Sequence, residues 1–219
     1  MPNLTVLQAA ESTDLTKLEH VKLELGISST GKNAWISSVI PAASRLIEQE
    51  ANNFWAAQQY EELISGSGSA RLMLARTPII GTPTIVIDSV AVADFIVEDA
   101  EAGVLYRRQG WTRRVSYWPM ASRDPIPYED HPHIYVTYWA GYNLPSFTSD
   151  VTDADDLPAS IERAAILSIK DWYNKRSRDP NVSWKQVGDL ALGFRKSSEG
   201  DTDLRLPPEA RALISKRVV

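Results

Sequence analysis

The sequence predicts an α+β fold: a small helical bundle, an antiparallel β module inserted between its second helix and a long C-terminal helix, and an extended C-terminal tail. Three observations predict it. The apolar period is near 3.6 through residues 13–53, changes to 2 between residues 54 and 142, and returns to 3.6 from residue 157. The middle stretch differs in composition, with most of the proline and β-branched runs and only Arg among its basic residues. The chain has 219 residues, 43% apolar, with seven Trp, which is enough to bury a core and excludes a disordered polymer. The expected division is N-terminal helices in residues 1–55, the β module in 56–144, the helix completing the bundle in 145–180, and the tail with a short terminal helix in 181–219.

The first helix carries Leu18, Val21 and Leu25 on one face and stops at Gly26. Thr16-Lys17-Leu18-Glu19 fits a capping box, with Ser12, Thr13 and Asp14 as alternative caps. The second covers about Lys32 to Asn53, with Trp35, Val39, Ala42, Ala43, Leu46 and Ile47 as its apolar stripe. Pro41 lies inside it, and the stripe stays in phase on both sides, so a bend is expected there. Gly66-Ser67-Gly68 then separates two strands, the second being Arg71–Arg76. Thr84–Ile87 and Phe95–Val97 follow. Gln109-Gly110 between Val104–Arg108 and Trp111–Tyr117 predicts a hairpin. His133–Trp139 is the last strand of the module. Leu157-Pro158 opens the long helix, whose Ile161, Ala164, Ala165, Ile169, Trp172 and Tyr173 step by three and four. Leu190, Leu192 and Phe194 alternate like a short strand, and Pro207-Pro208-Glu209 opens a last helix through Ala210, Leu213 and Ile214. So short a helix needs a surface to dock on.

Composition narrows the chemistry. With no cysteine there is no disulfide, thiolate metal site or thiol nucleophile, and three histidines leave little for acid–base or metal work. His131 and His133 share a strand face, but only Glu129 and Asp130 are near enough in sequence to add ligands, so no metal-binding residue is expected, and a metal hydrolase is only a third reading. His20 lies off the apolar face of its helix and is expected to be solvated. The acidic stretch Asp150, Asp153, Asp155 and Asp156 does not make a calcium loop, because Pro158 and Ala164 stand where the loop needs Gly and Glu, and it reads as helix-start charge instead. Glu98, Asp99 and Glu101 read as a solvated turn. No nucleophile elbow, phosphate loop or dinucleotide fingerprint occurs, so no cofactor and no catalytic residue is expected. No apolar run reaches a membrane span, and MPNLTVLQAAESTD lacks the basic start and apolar stretch of a signal peptide. The net charge of −5 disfavours general nucleic-acid binding.

Two stretches read as contact surfaces. Arg107, Arg108, Trp111, Arg113 and Arg114 mix guanidinium groups with an aromatic ring, a composition suited to a subunit or tail interface. In the tail, Leu204, Leu206, Leu213, Ile214, Lys216 and Arg217 form an amphipathic end suited to a partner's groove. A different class of function would use Trp111, Trp118, Trp139 and Tyr142 as exposed rings for carbohydrate or single-stranded nucleic acid.

The order of parts is informative in itself. A helix with Leu18–Ile27 is followed by one with Ile40–Glu48, then by Leu72-Met73-Leu74-Ala75-Arg76-Thr77-Pro78-Ile79, then by Tyr135-Val136-Thr137-Tyr138-Trp139-Ala140-Gly141-Tyr142, and last by the helix behind Leu157-Pro158. This resembles the head–tail connector (adaptor, or head-completion) proteins of tailed bacteriophages, from about Leu15 to Tyr173 and more loosely to Leu190. Pro41 and the segment from Ser177 onward depart from the pattern. The resemblance implies a structural virion protein, made in the host cytoplasm and placed at the head–tail interface. Such a protein forms a ring, usually of twelve copies, under the portal protein; it extends the DNA channel and docks the stopper or tail-completion protein. Genomic DNA would pass without sequence recognition, and no membrane is involved.

Overall fold

Alternation of buried and partly exposed residues along Gln58–Ile64 and Ile134–Ala140 gives each of these segments one inward and one outward face, the pattern of strands covered on one side. The structure is a computed structural model and describes residues 3–112, 134–146, 153–176, 184–187, 190–193 and 206–215. The fold is α+β, with the β module between the second and third helices. The chain divides into two units. One comprises Met1–Ser12, Phe54–Asn143 and Phe147–Asp156; the other comprises Thr13–Asn53, Leu144–Ser146 and Leu157–Val219.

The first unit holds two antiparallel sheets. The larger contains β1 (Asn3–Gln8), β2 (Gln58–Ile64), β4 (Ile79–Ile87), β5 (Val90–Val92) and β8 (Ile134–Ala140), in the order β1-β2-β8-β4-β5. The smaller contains β3 (Arg71–Met73), β6 (Ile96–Asp99) and β7 (Val104–Tyr106), in the order β3-β7-β6. Their inner faces share one core, in which Tyr60, Ile85, Val136 and Tyr138 from the larger sheet cluster with Leu72, Leu105 and Trp111. Within it the Glu62 carboxylate is 2% exposed and accepts hydrogen bonds from Tyr138 Oη (2.8 Å) and the Ala75 N–H (2.9 Å). Burial, and then the neighbouring carboxylate, pushes the Tyr138 phenol far above its ordinary range. Tyr138 therefore stays a donor to Glu62 while its oxygen accepts the Arg76 N–H. This ties the chain following β3 to the centre of the larger sheet.

Two strands of this unit lie outside the sequence reading, β1 and β5. The β4–β5 turn is Asp88-Ser89, both with positive φ (48° and 68°), a two-residue hairpin made without Gly or Asn. The expected hairpin between residues 104–108 and 111–117 is not formed in its described part. β7 pairs instead with β3 and β6, and Trp111 is bonded to residues 68 and 69 through its N–H to Ser69 O (2.8 Å) and its carbonyl from Gly68 N–H (2.7 Å). Gly66 makes that approach possible, since a Cβ there would lie 1.8 Å from the Thr112 carbonyl oxygen.

The second unit is helical, with a small hairpin. It contains α1 (Leu18–Leu25), α2 (Asn33–Ala51), α3 (Ala159–Arg176), β9 (Trp184–Val187) paired antiparallel with β10 (Leu190–Gly193), and α4 (Pro208–Ser215). Gly26 ends α1 in the left-handed conformation (φ 65°) and its N–H returns to Leu23, as the sequence leads one to expect. The capping box does not form; the Thr16 hydroxyl donates to Glu162 Oε1 (3.2 Å) on α3. α2 runs through Pro41 as a single helix. Its most buried row is Ile36, Ile40, Ala43 and Ile47, while the expected Trp35, Val39, Ala42 and Leu46 form a partly buried second row beside it. Val21 from α1 and Ile166, Ile169 and Trp172 from α3 complete that core.

Candidate interaction surfaces

The two sequence runs that carry the family resemblance inside the β module meet in space. Ile79 and Ile80 at the start of β4 pair with Ala140 and Trp139 at the end of β8, and the Gly141 N–H donates to the Pro78 carbonyl (3.0 Å). Just beyond, the segment leaving β8 is laid parallel to the one leading into β2. Tyr142 N–H donates to Trp55 O (2.7 Å) and Ala57 N–H to Tyr142 O (3.0 Å). Asn143 then bonds residues 154 and 155 through its side-chain amide and its N–H, both at 2.8 Å.

The Arg-rich stretch is only partly a surface. Arg108 is exposed. Arg107 lies against the protein, its Nε donating to Asp94 Oδ1 (3.0 Å) and its guanidinium 5.9 Å above the Trp111 ring. Trp111 is 0% exposed and its indole N–H donates to the Ala70 carbonyl (3.1 Å). Arg113 and Arg114 lie outside the described residues, as do Trp118, His131 and His133. Of the rings that could form a stacking platform, Trp111 and Tyr142 are buried and Trp139 is half-buried. What the neighbourhood does expose is the outer face of the small sheet. Met73 (69%) and Ile96 (61%) stand open there, and Arg71 reaches across β7 to grip Glu98 with two bonds of 2.5 and 2.6 Å.

In the tail, Leu206 and Ile214 are 5% and 2% exposed, Leu213 is half-buried, and α4 packs on α3 and α2. The surface that so short a helix needs is thus supplied by the chain itself, with Arg211 Nε 3.2 Å from Glu50 Oε1 on α2. Leu204, Lys216 and Arg217 lie outside the described residues. The exposed positions of α4 are Pro208, Glu209, Arg211 and Ala212.

Two polar clusters of the helical unit escaped the sequence reading. His20, expected to be solvated, has Nδ1 2.6 Å from Glu162 Oε1. Glu24 receives two bonds from Arg163 (2.6 and 3.2 Å) and one from Lys170 (2.7 Å). The Arg163 bonds, and then Lys170, hold its carboxyl down to about 2. A carboxyl depressed in the folded state adds stability above its unfolded value near 4.5, and that share is lost as pH falls from there toward 2. Glu24→Gln is therefore expected to lower Tm most at pH 5–7, with the difference shrinking steadily as pH falls toward 2. Melting curves of both proteins across that range check this.

Among the described residues no three His, Asp or Glu side chains are placed to hold a metal ion, and no described helix is long and apolar enough to cross a membrane. In the turn read from Glu98, Asp99 and Glu101, Glu98 is engaged by Arg71 and Asp99 Oδ1 accepts the Ala102 N–H (2.9 Å).

No protein-family model matches the sequence, and no curated protein matches it. Solved structures do match in fold. A chain in the neck of an empty gene transfer agent (GTA) particle, computed with C6 symmetry, superposes with a TM-score of 0.53 at 16% identity, over 98% of this chain and 94% of that one. A chain in the virion of a native GTA particle superposes with a TM-score of 0.50 at 15% identity, over the same shares. At that identity the likeness is one of architecture, and it takes in both units, the helices and the inserted β module alike.

Proposed function

We propose that this chain is a structural subunit of the neck of a tailed-phage-like particle. It forms a ring beneath the portal that extends the DNA channel and docks the stopper or tail, and it carries out no reaction. The observation that carries the reading is the near end-to-end fold likeness to a chain from a particle neck. It accords with the order of sequence runs that resembles the connector proteins. The ring is supported by the C6 symmetry in which that neck was computed. Net charge −5 suits a conduit, because a wall that repels phosphate lets DNA slide without sticking. Electron microscopy of the purified protein with and without portal tests the reading. A ring seated on the portal is expected; a protein that binds no particle component, or that turns over a substrate, ends it.

Residues 204–219 remain our proposed portal contact, in a form fitted to α4. Leu206 and Ile214 hold the helix in place, so its exposed Pro208, Glu209, Arg211 and Ala212 are left to meet the partner, and the proposed contact continues through Lys216 and Arg217. Replacing Lys216 and Arg217 together with Ala is expected to weaken portal attachment at least tenfold and to leave Tm unchanged, in a pull-down run beside a melting curve. Undiminished attachment would exclude this contact.

A further inference from the structure

The larger sheet ends in two strands that each have one neighbour among the described residues, β1 beside β2 and β5 beside β4. Each therefore turns a row of main-chain N–H and C=O groups outward, a template for an added strand. The apolar layer of the sheet runs out to both edges and is left uncovered there. Val6 lies opposite buried Tyr60 and is 48% exposed; Val90 lies opposite Ile87, on the same core face, and is 65% exposed. Neither strand contains a charge or a proline, the common guards of a free edge. β1 does carry one irregularity, at Leu7, which leaves Asn3–Val6 in regular register.

Direction adds a constraint. All four pairings in this sheet are antiparallel, so with five strands β1 and β5 run the same way. When copies are related by rotation about an axis along the strands, the β5 edge of one copy meets the β1 edge of the next as a parallel pair. That contact joins two different surfaces, so it repeats from copy to copy and closes when the rotation divides a full turn. A β1-to-β1 contact would join like surfaces and stop at two copies.

We infer that the free β1 edge of one copy receives the β5 edge of a second copy, so that the sheets and their apolar layers continue from subunit to subunit. The inference rests on the ring reading above. Because the chain has no cysteine, introduced thiols report on this contact alone. Thr5 and Ala91 are exposed and lie on the same outer face of the sheet, in the rows of Glu61 and Val86. The double variant Thr5→Cys/Ala91→Cys, oxidised as assembled rings, is expected to run on a denaturing gel as a ladder of multiples of the chain mass, with each single variant monomeric. Rings visible by microscopy whose double variant stays monomeric would overturn the edge contact and leave the ring standing. A covalent dimer of Thr5→Cys alone would overturn it in favour of a two-fold contact. Absence of any ring, with or without portal, would overturn both readings.

Discussion

Trp111→Ala is expected to destabilise the β unit by about 3–5 kcal/mol, a large share of what a domain this size commands. The ring is fully enclosed, it contacts Phe95 at a centroid distance of 6.3 Å, and its N–H reaches Ala70 O. Its removal opens a cavity between the two sheets and strips Arg107 of the surface beneath its guanidinium. Trp111→Phe keeps most of the volume and loses the donor, so it should fall at about half that effect. Urea unfolding followed by near-ultraviolet circular dichroism separates the two. A docking residue would behave in the opposite way, with normal unfolding and failed assembly. Stability within 1 kcal/mol of the parent would show that Trp111 is not part of the core.

What the sequence displays is local, and what it hides is long-range. α3 was legible because Ile161, Ala164, Ala165, Ile169 and Trp172, all buried, recur at three- and four-residue steps within one segment, and Gly26 because a left-handed stop is set by the residue itself. β1 was not: six residues with no turn beside them become a strand only by pairing with β2, more than fifty positions away. Asp88-Ser89 hid β5, since both residues take positive φ without the Gly or Asn that announces such a turn. Trp111 was misplaced because a Gly-containing turn suggests pairing with the strand just before it, whereas the Gly66 approach brings residues 68 and 69 closer. The α2 stripe was read one residue off its centre, because Trp35 and Val39 are as apolar as the Ile36 and Ile40 that sit deeper. Glu24 meets Arg163 and Lys170 across 139 and 146 residues, a separation no spacing rule spans. The tail was read correctly as needing a surface, but the surface is on α3 and α2, where sequence order does not point.

Gly141→Ala is expected to destabilise by about 2–5 kcal/mol, through two additive causes. Its φ of 119° is a conformation that side chains with a Cβ rarely adopt, and the added carbon would sit 2.5 Å from the Ala56 carbonyl oxygen and 2.8 Å from the Ala57 nitrogen. Both obstacles are backbone, held by the Tyr142–Trp55 and Ala57–Tyr142 bonds, so neither can swing aside as a side chain would. Relief would require separating the two parallel segments or breaking the Gly141–Pro78 bond that joins the resemblance-bearing runs. Gly26→Ala is the internal control: its φ is also positive (65°), but nothing lies within 4 Å of the new carbon. That variant should lose only the left-handed conformational term, about 1–2 kcal/mol. Denaturant unfolding of the two variants side by side isolates the steric part as their difference. Equal losses would mean that the close approach at Gly141 relaxes freely, and that its glycine serves the turn alone.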